Sequence, residues 1–241
     1  MNEVIDDLID KWHSGTQVRS LPSYLGMSND EYDDYVVYNV IPQGWSSRSR
    51  AFVDLRHNYD IIYADPPWQY NDKASAGKRG AEYKYPVMSF EDIANLPVQT
   101  ISADDCALFL WVTAPFMDRG IELVRRWGFE YKTVAFTWIK KNKVADSLFW
   151  GMGNWTRANP EYVLLGVKGK PKRVDKGVHS VVEAKVGRHS AKPVEVRTRI
   201  ERLMCANTRQ VELFARETPR LWDAWGNEIP EEDYRHENRA R

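Results

Sequence analysis

The chain has 241 residues, of which 43% are apolar and 28% are charged, a balance typical of a globular protein that buries one sizeable core. No run of 18 or more apolar residues occurs, and the first residues lack the basic start and apolar stretch of a signal peptide. These features argue against a membrane partner and predict a cytoplasmic location. Cys106 and Cys205 stand alone without metal-type spacing, so we expect reduced packing residues and no metal site.

The formal net charge is zero, but the charges are unevenly distributed along the chain. Residues 1–45 carry two basic and eight acidic side chains, a net charge of −6, whereas residues 140–199 carry fourteen basic and five acidic ones, a net charge of +9. A basic stretch that also contains Trp150, Trp155 and Tyr162 is typical of a polyanion-binding surface, although such a run can also be a solvated face. Nucleic acid is therefore the predicted partner.

Two short helices are predicted in the acidic amino-terminal segment. Apolar residues recur at helical spacing over residues 1–12, and Ser28 with Glu31 forms a capping-box pattern that starts a second helix. We predict that residues 1–45 are an acidic, mainly helical appendage to a main domain over residues 46–241. Two roles for the appendage stay open: an arm docked on the main domain, or an element that binds a partner or sets specificity.

Strands and helices alternate through the main domain. Ser89, Pro115 and Pro193 indicate helix starts, and residues 140–160 form the longest irregular segment, which at this length is usually functional or mobile. Short apolar runs predict strands at about 61–64, 106–112, 133–139, 161–167, 178–183 and 210–215. This alternation predicts an α/β fold with a mainly parallel central sheet flanked by helices.

The stretch Asp65-Pro66-Pro67-Trp68 directly follows the first predicted strand. Asp65 therefore stands at the carboxyl end of that strand, the edge where α/β sheets bind ligands. The two prolines stiffen the turn and contribute no N–H group, so the corner presents acceptors, and Trp68 adds a flat apolar face. Such a corner suits a planar ring that carries an exocyclic NH2 group. The alternative is a Pro-Pro turn with an Asp helix cap and a core Trp.

Further short blocks follow this corner along the chain. They are Tyr85-Pro86-Val87-Met88-Ser89, Leu108-Phe109-Leu110-Trp111-Val112-Thr113, Trp155-Thr156-Arg157, Glu161-Tyr162-Val163-Leu164-Leu165-Gly166-Val167-Lys168-Gly169, His189-Ser190-Ala191-Lys192-Pro193, Glu212-Leu213-Phe214-Ala215-Arg216 and Trp225-Gly226-Asn227-Glu228. In this order, the set resembles the S-adenosylmethionine-dependent adenine-N6 methyltransferases. It is most similar to the branch that contains the catalytic subunit of the eukaryotic mRNA methyltransferase and its small bacterial and phage DNA relatives.

The resemblance implies a Rossmann-like methyltransferase fold, with residues 46–241 as the catalytic domain and S-adenosylmethionine as the cofactor. It implies that the catalytic residues are Asp65, Pro66, Pro67 and Trp68. It implies that the cofactor is bound by Asp65, Lys192, Glu212, Arg216, Asn227 and Glu228. The expected substrate-binding residues are Trp68 and Tyr85, which offer π faces to a base, and Arg157 and Asn159. For the last two, a structural loop network is an equally weighted alternative.

The residues of the corner suggest how such a transfer would proceed. The adenine amino nitrogen is a poor nucleophile because its lone pair is delocalised into the ring. If Asp65 and the Pro66 carbonyl each accept one of its N–H bonds, the nitrogen becomes more tetrahedral and its lone pair is released for in-line attack. These acceptors also stabilise the positive charge that develops on nitrogen. The base must be flipped out of its stack or be unpaired to reach them.

Three readings of the substrate and activity remain. DNA is the expected substrate, since compact chains of this type resemble prokaryotic and phage DNA enzymes, and RNA with the same chemistry is the alternative. A different alternative is a catalytically inactive, nucleic-acid-binding subunit of a methyltransferase complex. In every case the expected phosphate contacts, acting collectively, are Lys140, Lys141, Lys168, Lys170, Lys172 and Arg173.

Overall fold

The structure is a computed structural model. It describes residues 5, 9, 13, 21–25, 27, 29–38, 55, 58–68, 88–153, 155–187, 191–205, 208–226 and 229. The chain divides into two compact units. We call one the sheet unit, which contains Asn58–Asp65 and Ser102–Gln210, and the other the terminal unit, which contains Met1–His57, Pro66–Ile101 and Val211–Arg241.

The described part of the chain contains helices and strands in alternation. In chain order they are α1 (Leu21–Leu25), α2 (Asn29–Tyr38), β1 (Tyr59–Ala64), α3 (Phe90–Ala94), α4 (Val98–Ile101), β2 (Ser102–Thr113), a 3-10 turn (Ala114–Phe116), α5 (Met117–Arg126), β3 (Glu130–Lys141), β4 (Glu161–Lys168), β5 (Val181–Lys185), α6 (Val194–Met204), β6 (Gln210–Leu213) and β7 (Asp223–Trp225). The predicted α/β fold is confirmed.

Within the sheet unit the strands lie side by side in the order β5-β3-β4-β2-β1. β1 pairs with β2 and β3 pairs with β5 in parallel, whereas β4 runs antiparallel to both β2 and β3. The sheet is therefore mixed, a refinement of the expected mainly parallel arrangement. Because β4 is reversed, its first residue lies at the same edge as the carboxyl ends of β1, β2 and β3.

The core of the sheet unit is built on β2, whose residues from Cys106 to Val112 are all buried. Such a continuous apolar run is typical of a strand covered on both faces. Helix α5 packs against β2, β3 and β4. Gly166 in β4 allows this close approach, because a Cβ atom there would lie only 2.7 Å from Val124 Cγ1 of the helix. The sheet edge is thus held by a rigid core.

The predicted helix boundaries agree with the structure. Ser89 caps α3 by accepting a hydrogen bond from the Asp92 backbone N–H at 3.1 Å. Pro115 lies in the 3-10 turn that leads into α5, and Gly128 follows α5 with a φ of 81°, a left-handed conformation that favours glycine. Pro193 directly precedes α6. The capping and helix-ending residues in the sequence were therefore sufficient to locate these helices.

The terminal unit contains the parallel pair β6 and β7. The Ala215 N–H donates to the Trp225 carbonyl at 2.9 Å, and a Cβ atom at Gly226 would collide with the Ala215 backbone. The chain segments after the two strands therefore touch backbone to backbone, which requires glycine at 226. Phe214 packs edge-on against Trp225, with ring centroids 5.3 Å apart.

Helix α2 covers the second predicted helix, whereas Ser28 lies outside the described residues, as do residues 1–12 apart from Ile5 and Ile9. Helix α1 was not predicted. Ile5, Leu25 and Met27 form a small buried cluster. That residues 1–45 act as a separate appendage stays a prediction.

The two cysteines in the described residues are unpaired thiols. Cys106 is buried in β2, and burial raises the pKa of its thiol to about 12 from an ordinary 9.0. Cys205 is partly buried just after α6. We find no helix in the described ranges that is long and apolar enough to cross a membrane. Nor do the described side chains include a cluster of three or more His, Cys, Asp or Glu residues that could hold a metal ion.

Candidate active site

The strand order of the sheet unit brings together charged residues that are far apart in the sequence. Asp65 directly follows β1, Lys140 is next to the last residue of β3, and Glu161 is the first residue of β4. In the sheet register, Glu161 pairs with Thr113 of β2 on one side and with Trp138 of β3 on the other. The antiparallel direction of β4 therefore places a carboxylate at the edge that the sequence assigned to ligand binding.

Lys192 connects these side chains into one network. Its Nζ atom lies 2.7 Å from Asp65 Oδ2 and 3.6 Å from Glu161 Oε2, while Lys140 Nζ lies 2.6 Å from Glu161 Oε1. We call this set the Asp65–Lys192–Glu161–Lys140 network. Its four side chains are only 15–23% exposed, so salt screens their interactions less than those of surface pairs. Two carboxylates and two ammonium groups leave the network formally neutral.

Glu161 is the residue through which the two lysines are coupled. Burial by itself would raise the pKa of Glu161 above its ordinary 4.5, but the neighbouring ammonium groups of Lys192 and Lys140 outweigh it and hold that pKa below the ordinary value. Glu161 is therefore an anion at neutral pH. Glu161 stands in one of the ordered sequence blocks, but no role was predicted for it. The signal that could have indicated a role is a charged residue directly before an apolar strand.

Aromatic side chains of the sheet lie against the network. Lys192 Nζ is 5.4 Å from the centroid of the Trp111 ring, and Lys140 Nζ is 5.2 Å from that of Trp138, distances at which cation–π attraction operates. The Trp111 indole N–H donates to the Tyr63 hydroxyl at 2.6 Å, and Trp111 and Trp138 pack edge to face. Because these rings are locked by hydrogen bonds and packing, they restrict where the two ammonium groups can lie.

The turn after Asp65 has the acceptor-rich character that was predicted. The Trp68 N–H donates to the Pro66 carbonyl at 2.9 Å, and the Met88 N–H donates to the Pro67 carbonyl at 3.0 Å. A carbonyl oxygen has two lone pairs, so the Pro66 oxygen can accept a further bond. Trp68 is only 7% exposed, and its role as a stacking surface for a base stays a prediction.

Arg157 and Asn159 differ sharply in their surroundings. Asn159 is buried, and its side-chain amide accepts from the Lys140 N–H at 3.1 Å and donates to the carbonyls of Lys140 and Phe149 at 2.9 and 2.5 Å. This pattern favours the structural loop network over substrate contact. Arg157 is exposed, with Nη1 2.8 Å from the Met152 sulfur, a position compatible with a ligand contact.

The residues predicted to bind the cofactor are only partly described. Lys192 lies in the network of the sheet unit, whereas Glu212 and Arg216 are partly buried in the terminal unit, on β6 and just after it. Tyr85, Asn227 and Glu228 lie outside the described residues, as do all of residues 69–87. The assignment of all these residues to cofactor or base stays a prediction.

The basic residues expected to contact phosphate fall into two groups. Lys140 belongs to the network, Lys141 is paired with Asp146 and Glu183, and Lys168 donates to the Ser102 hydroxyl at 3.0 Å. Three others have exposed side chains in the segment after β4, namely Lys170, Lys172 and Arg173. The second group therefore has its side chains exposed for phosphate contact, which stays a prediction for all six residues.

Comparison with known proteins identifies the class of this chain. Residues 59–228 match the MT-A70 family. The type II methyltransferase M.MunI of Mycoplasma sp is 38% identical over 73% of this chain and 80% of its own length. The N(6)-adenosine-methyltransferase catalytic subunit METTL3 of Homo sapiens is 28% identical over 93% of this chain but only 38% of its own length. The N(6)-adenosine-methyltransferase MT-A70-like protein of Drosophila melanogaster is 31% identical over 79% of this chain and 30% of its own.

An α/β sheet unit with a charged network at the strand ends, together with this match, defines a methyltransferase. The chain belongs to the MT-A70 family, which confirms the family that the ordered sequence blocks resembled.

Proposed function

We propose that the protein transfers a methyl group from S-adenosylmethionine to the N6 amino group of adenine in DNA. The observation that carries this proposal is the contact of Lys192 with Asp65 at the carboxyl end of β1. It puts an oriented carboxylate at the start of an acceptor-rich turn. The names of the similar proteins support both halves of the reaction, since one is a type II methyltransferase and others are N(6)-adenosine-methyltransferases.

Asp65 is the residue that receives the amino group in this proposal. As an ionised carboxylate it is an acceptor only, and its contact with Lys192 at 2.7 Å fixes the direction of the second oxygen. One N–H bond of the adenine amino group goes to Asp65 and the other to the Pro66 carbonyl. The nitrogen then becomes more tetrahedral, and its lone pair, no longer delocalised into the ring, would form the new N–C bond as the methyl carbon separates from the sulfonium. The surplus amino proton would pass to solvent. Both acceptors stabilise the positive charge that develops on nitrogen.

Glu161 and Lys140 position the groups that act on the substrate. Glu161 also contacts Lys192, at 3.6 Å, and is itself held by Lys140 at 2.6 Å. A lysine with four rotatable bonds loses orientation easily, and a second carboxylate restricts it. We therefore assign Glu161 and Lys140 as positioning residues for Lys192 and Asp65.

The residues present fit S-adenosylmethionine as the methyl donor. Its ribose diol suits carboxylate and amide partners such as Glu212 and Asn227, with Arg216 and Glu228 nearby in sequence, and its methionine carboxylate suits an ammonium group such as Lys192. When bound, this cofactor supplies a methyl group made electrophilic by a sulfonium. The chain supplies acceptors for the amino group and a partly buried site that limits competing hydrolysis.

DNA is proposed over RNA because the chain spans 80% of the Mycoplasma type II methyltransferase and only 38% of METTL3. The proposed enzyme acts in the cytoplasm on a flipped-out or unpaired adenine. RNA methylation is the alternative, since METTL3 and the Drosophila protein also match. An inactive binding subunit is not favoured, because such a subunit has no use for the oriented Asp65–Lys192 pair.

Nucleoside mass spectrometry tests the proposal. The purified protein is incubated with S-adenosylmethionine and, separately, with duplex DNA, single-stranded DNA and RNA, each of mixed sequence, and Asp65→Asn serves as the inactive control. N6-methyladenine in DNA, made by the wild type alone, is the expected result. N6-methyladenine in RNA alone would mean that the substrate is RNA and not DNA, and the proposed mechanism would stand. Product from Asp65→Asn at the wild-type rate would contradict the mechanism.

A further inference from the structure

The segment between β3 and β4 is held by hydrogen bonds at its base and exposes large apolar side chains. We call residues 142–153 and 155–160 the arm. Its base is closed by backbone bonds: the Phe149 N–H donates to the Lys140 carbonyl at 2.9 Å, and the Gly151 N–H donates to the Ala158 carbonyl at 2.7 Å. The buried Asn159 amide adds a third connection, to the backbone of Lys140 and Phe149. The base of the arm is therefore fixed to the end of β3.

The outer part of the arm exposes large apolar side chains. Trp150 is 55% exposed, Met152 is 88% exposed and Trp155 is 99% exposed. A Cβ atom at Gly153 would collide with the Thr156 carbonyl, so the chain turns tightly between the two ends of this surface. Scattered apolar residues on a surface are ordinary, but three large exposed ones within six residues of sequence indicate a contact site.

The charge of the arm indicates what kind of molecule it contacts. Lys143 and Arg157 are exposed on it, and Arg157 Nη1 touches the Met152 sulfur at 2.8 Å. The one described acidic residue within the arm, Asp146, is already paired with Lys141. Exposed indole rings combined with cations are the features that bind single-stranded nucleic acid, because bases stack on the rings and phosphates pair with the cations. This complementarity favours a polyanion over a second copy of this chain, whose formal net charge is zero.

The arm is also mechanically connected to the proposed reaction site. Asn159 binds the backbone of Lys140 and lies two residues before Glu161. The side chains of Lys140 and Glu161 belong to the network that orients Asp65. We propose that Trp155 stacks on an unpaired base next to the target adenine and so holds the substrate strand while the target is in the site. This inference rests on the proposed function, since it assumes a nucleic-acid substrate.

Photo-crosslinking and binding together test this proposal without methyl transfer. The probe is a fluorescent single-stranded DNA of mixed sequence that carries 5-iododeoxyuridine, and S-adenosylmethionine is left out. We expect cross-linking to Trp155, located by peptide mass spectrometry. We expect Trp155→Ala to weaken binding by about fivefold or more, since loss of one base–aromatic stack has at least this effect. Trp155→Phe should restore most of the affinity because it retains a π face.

Two controls make the test specific. Val37→Ala removes an apolar side chain that is 64% exposed on α2, outside the basic stretch, and it should leave binding unchanged. The second control is the omission of S-adenosylmethionine: binding and cross-linking are read without methyl transfer, so a failure of the methylation mechanism would not be mistaken for a failure of the arm. Unchanged affinity of Trp155→Ala with cross-links elsewhere would overturn the proposal. So would a DNA-independent loss of self-association in Trp155→Ala by light scattering, since the arm would then bind a second copy.

Discussion

The network and the arm invert the usual relation between polarity and burial. The network places four charged side chains where they are only 15–23% exposed, whereas the arm leaves a Trp side chain 99% exposed. Partly buried charged side chains keep their orientation and their full electrostatic interaction only when every partner is in place. An exposed ring keeps its apolar face available for a ligand. The difference agrees with the two proposed roles, chemistry at the network and binding of the substrate strand at the arm.

The largest effect is expected where the network meets the amino group. Asp65→Asn keeps the size of the side chain but adds an NH2 donor opposite the N–H bonds of adenine. We expect methyl transfer to fall by about a thousandfold or more, as for loss of a preorganised electrostatic partner, with little change in thermal unfolding. Steady-state methylation of DNA measures the rate. Asp104→Asn, on an exposed residue, is the matched control, and a similar loss in both variants would refute the special role of Asp65.

Removing the central ammonium group should affect cofactor binding most. Lys192→Met retains the apolar stem but leaves Asp65 and Glu161 without their shared partner, and a charge-assisted contact is lost. We expect the affinity for S-adenosylmethionine to fall by about 10- to 100-fold, measured by calorimetry, while DNA affinity changes little. Lys185→Met, in an exposed position on β5, should change neither. A larger loss of DNA affinity than of S-adenosylmethionine affinity would mean that Lys192 contacts the substrate.

Glu161→Gln should show whether the network acts as a unit. The variant leaves Lys140 and Lys192 with one fewer counter-charge, and we expect kcat to fall by about tenfold and stability by about 1–2 kcal/mol, below the value for a fully buried pair because the site is partly solvated. KM should change less than kcat, since Glu161 acts through Lys192. Glu183→Gln, on a carboxylate whose side chain is 58% exposed, is the control.

The same residue sets an expected pH dependence of stability. Because the pKa of Glu161 is lower in the folded protein than its ordinary 4.5, its ionised form stabilises the fold above that value, and this contribution is lost as the pH falls through the folded pKa. Urea unfolding of wild type and Glu161→Gln at pH 7 and at steps below about pH 4.5 measures it. The gap between the two proteins should narrow on acidification, and a gap that widens would contradict the sign of the shift.

The smallest effect is expected from the basic segment after β4. Neutralising Lys170, Lys172 and Arg173 to Gln removes exposed cations without disturbing the network. If all three contact duplex phosphates, the slope of log affinity against log salt should become shallower by about 2 to 3, at roughly 0.9 per contact. Neutralising Arg125, Arg126 and Lys132 provides a control of equal charge. Equal slopes for both triple variants would show that the segment after β4 does not face the nucleic acid.

Much of the local structure was predictable because its causes are local. Ser89 caps a helix through its own side chain, Gly128 is favoured where φ is 81°, and the apolar run in β2 specifies a strand buried on both faces. The turn at Asp65 was likewise identified from its prolines and its position after a strand. The role of Asn159 was left open between substrate contact and a structural loop network. The carbonyls that its amide binds belong to Lys140 and Phe149, which are 19 and 10 residues away in the sequence.

The sequence by itself determined the α/β class, the strand that leads to Asp65 and the family to which the chain belongs, since each depends on residues that are close along the chain or on their order. Only the tertiary structure decided that β4 runs against its neighbours. That reversal brings Glu161 to the edge where Lys140 lies near the end of β3 and where Lys192 meets Asp65, the last two being 127 positions apart in the sequence. Contacts of this kind depend on strand pairing and packing, and no local pattern of residue types encodes them.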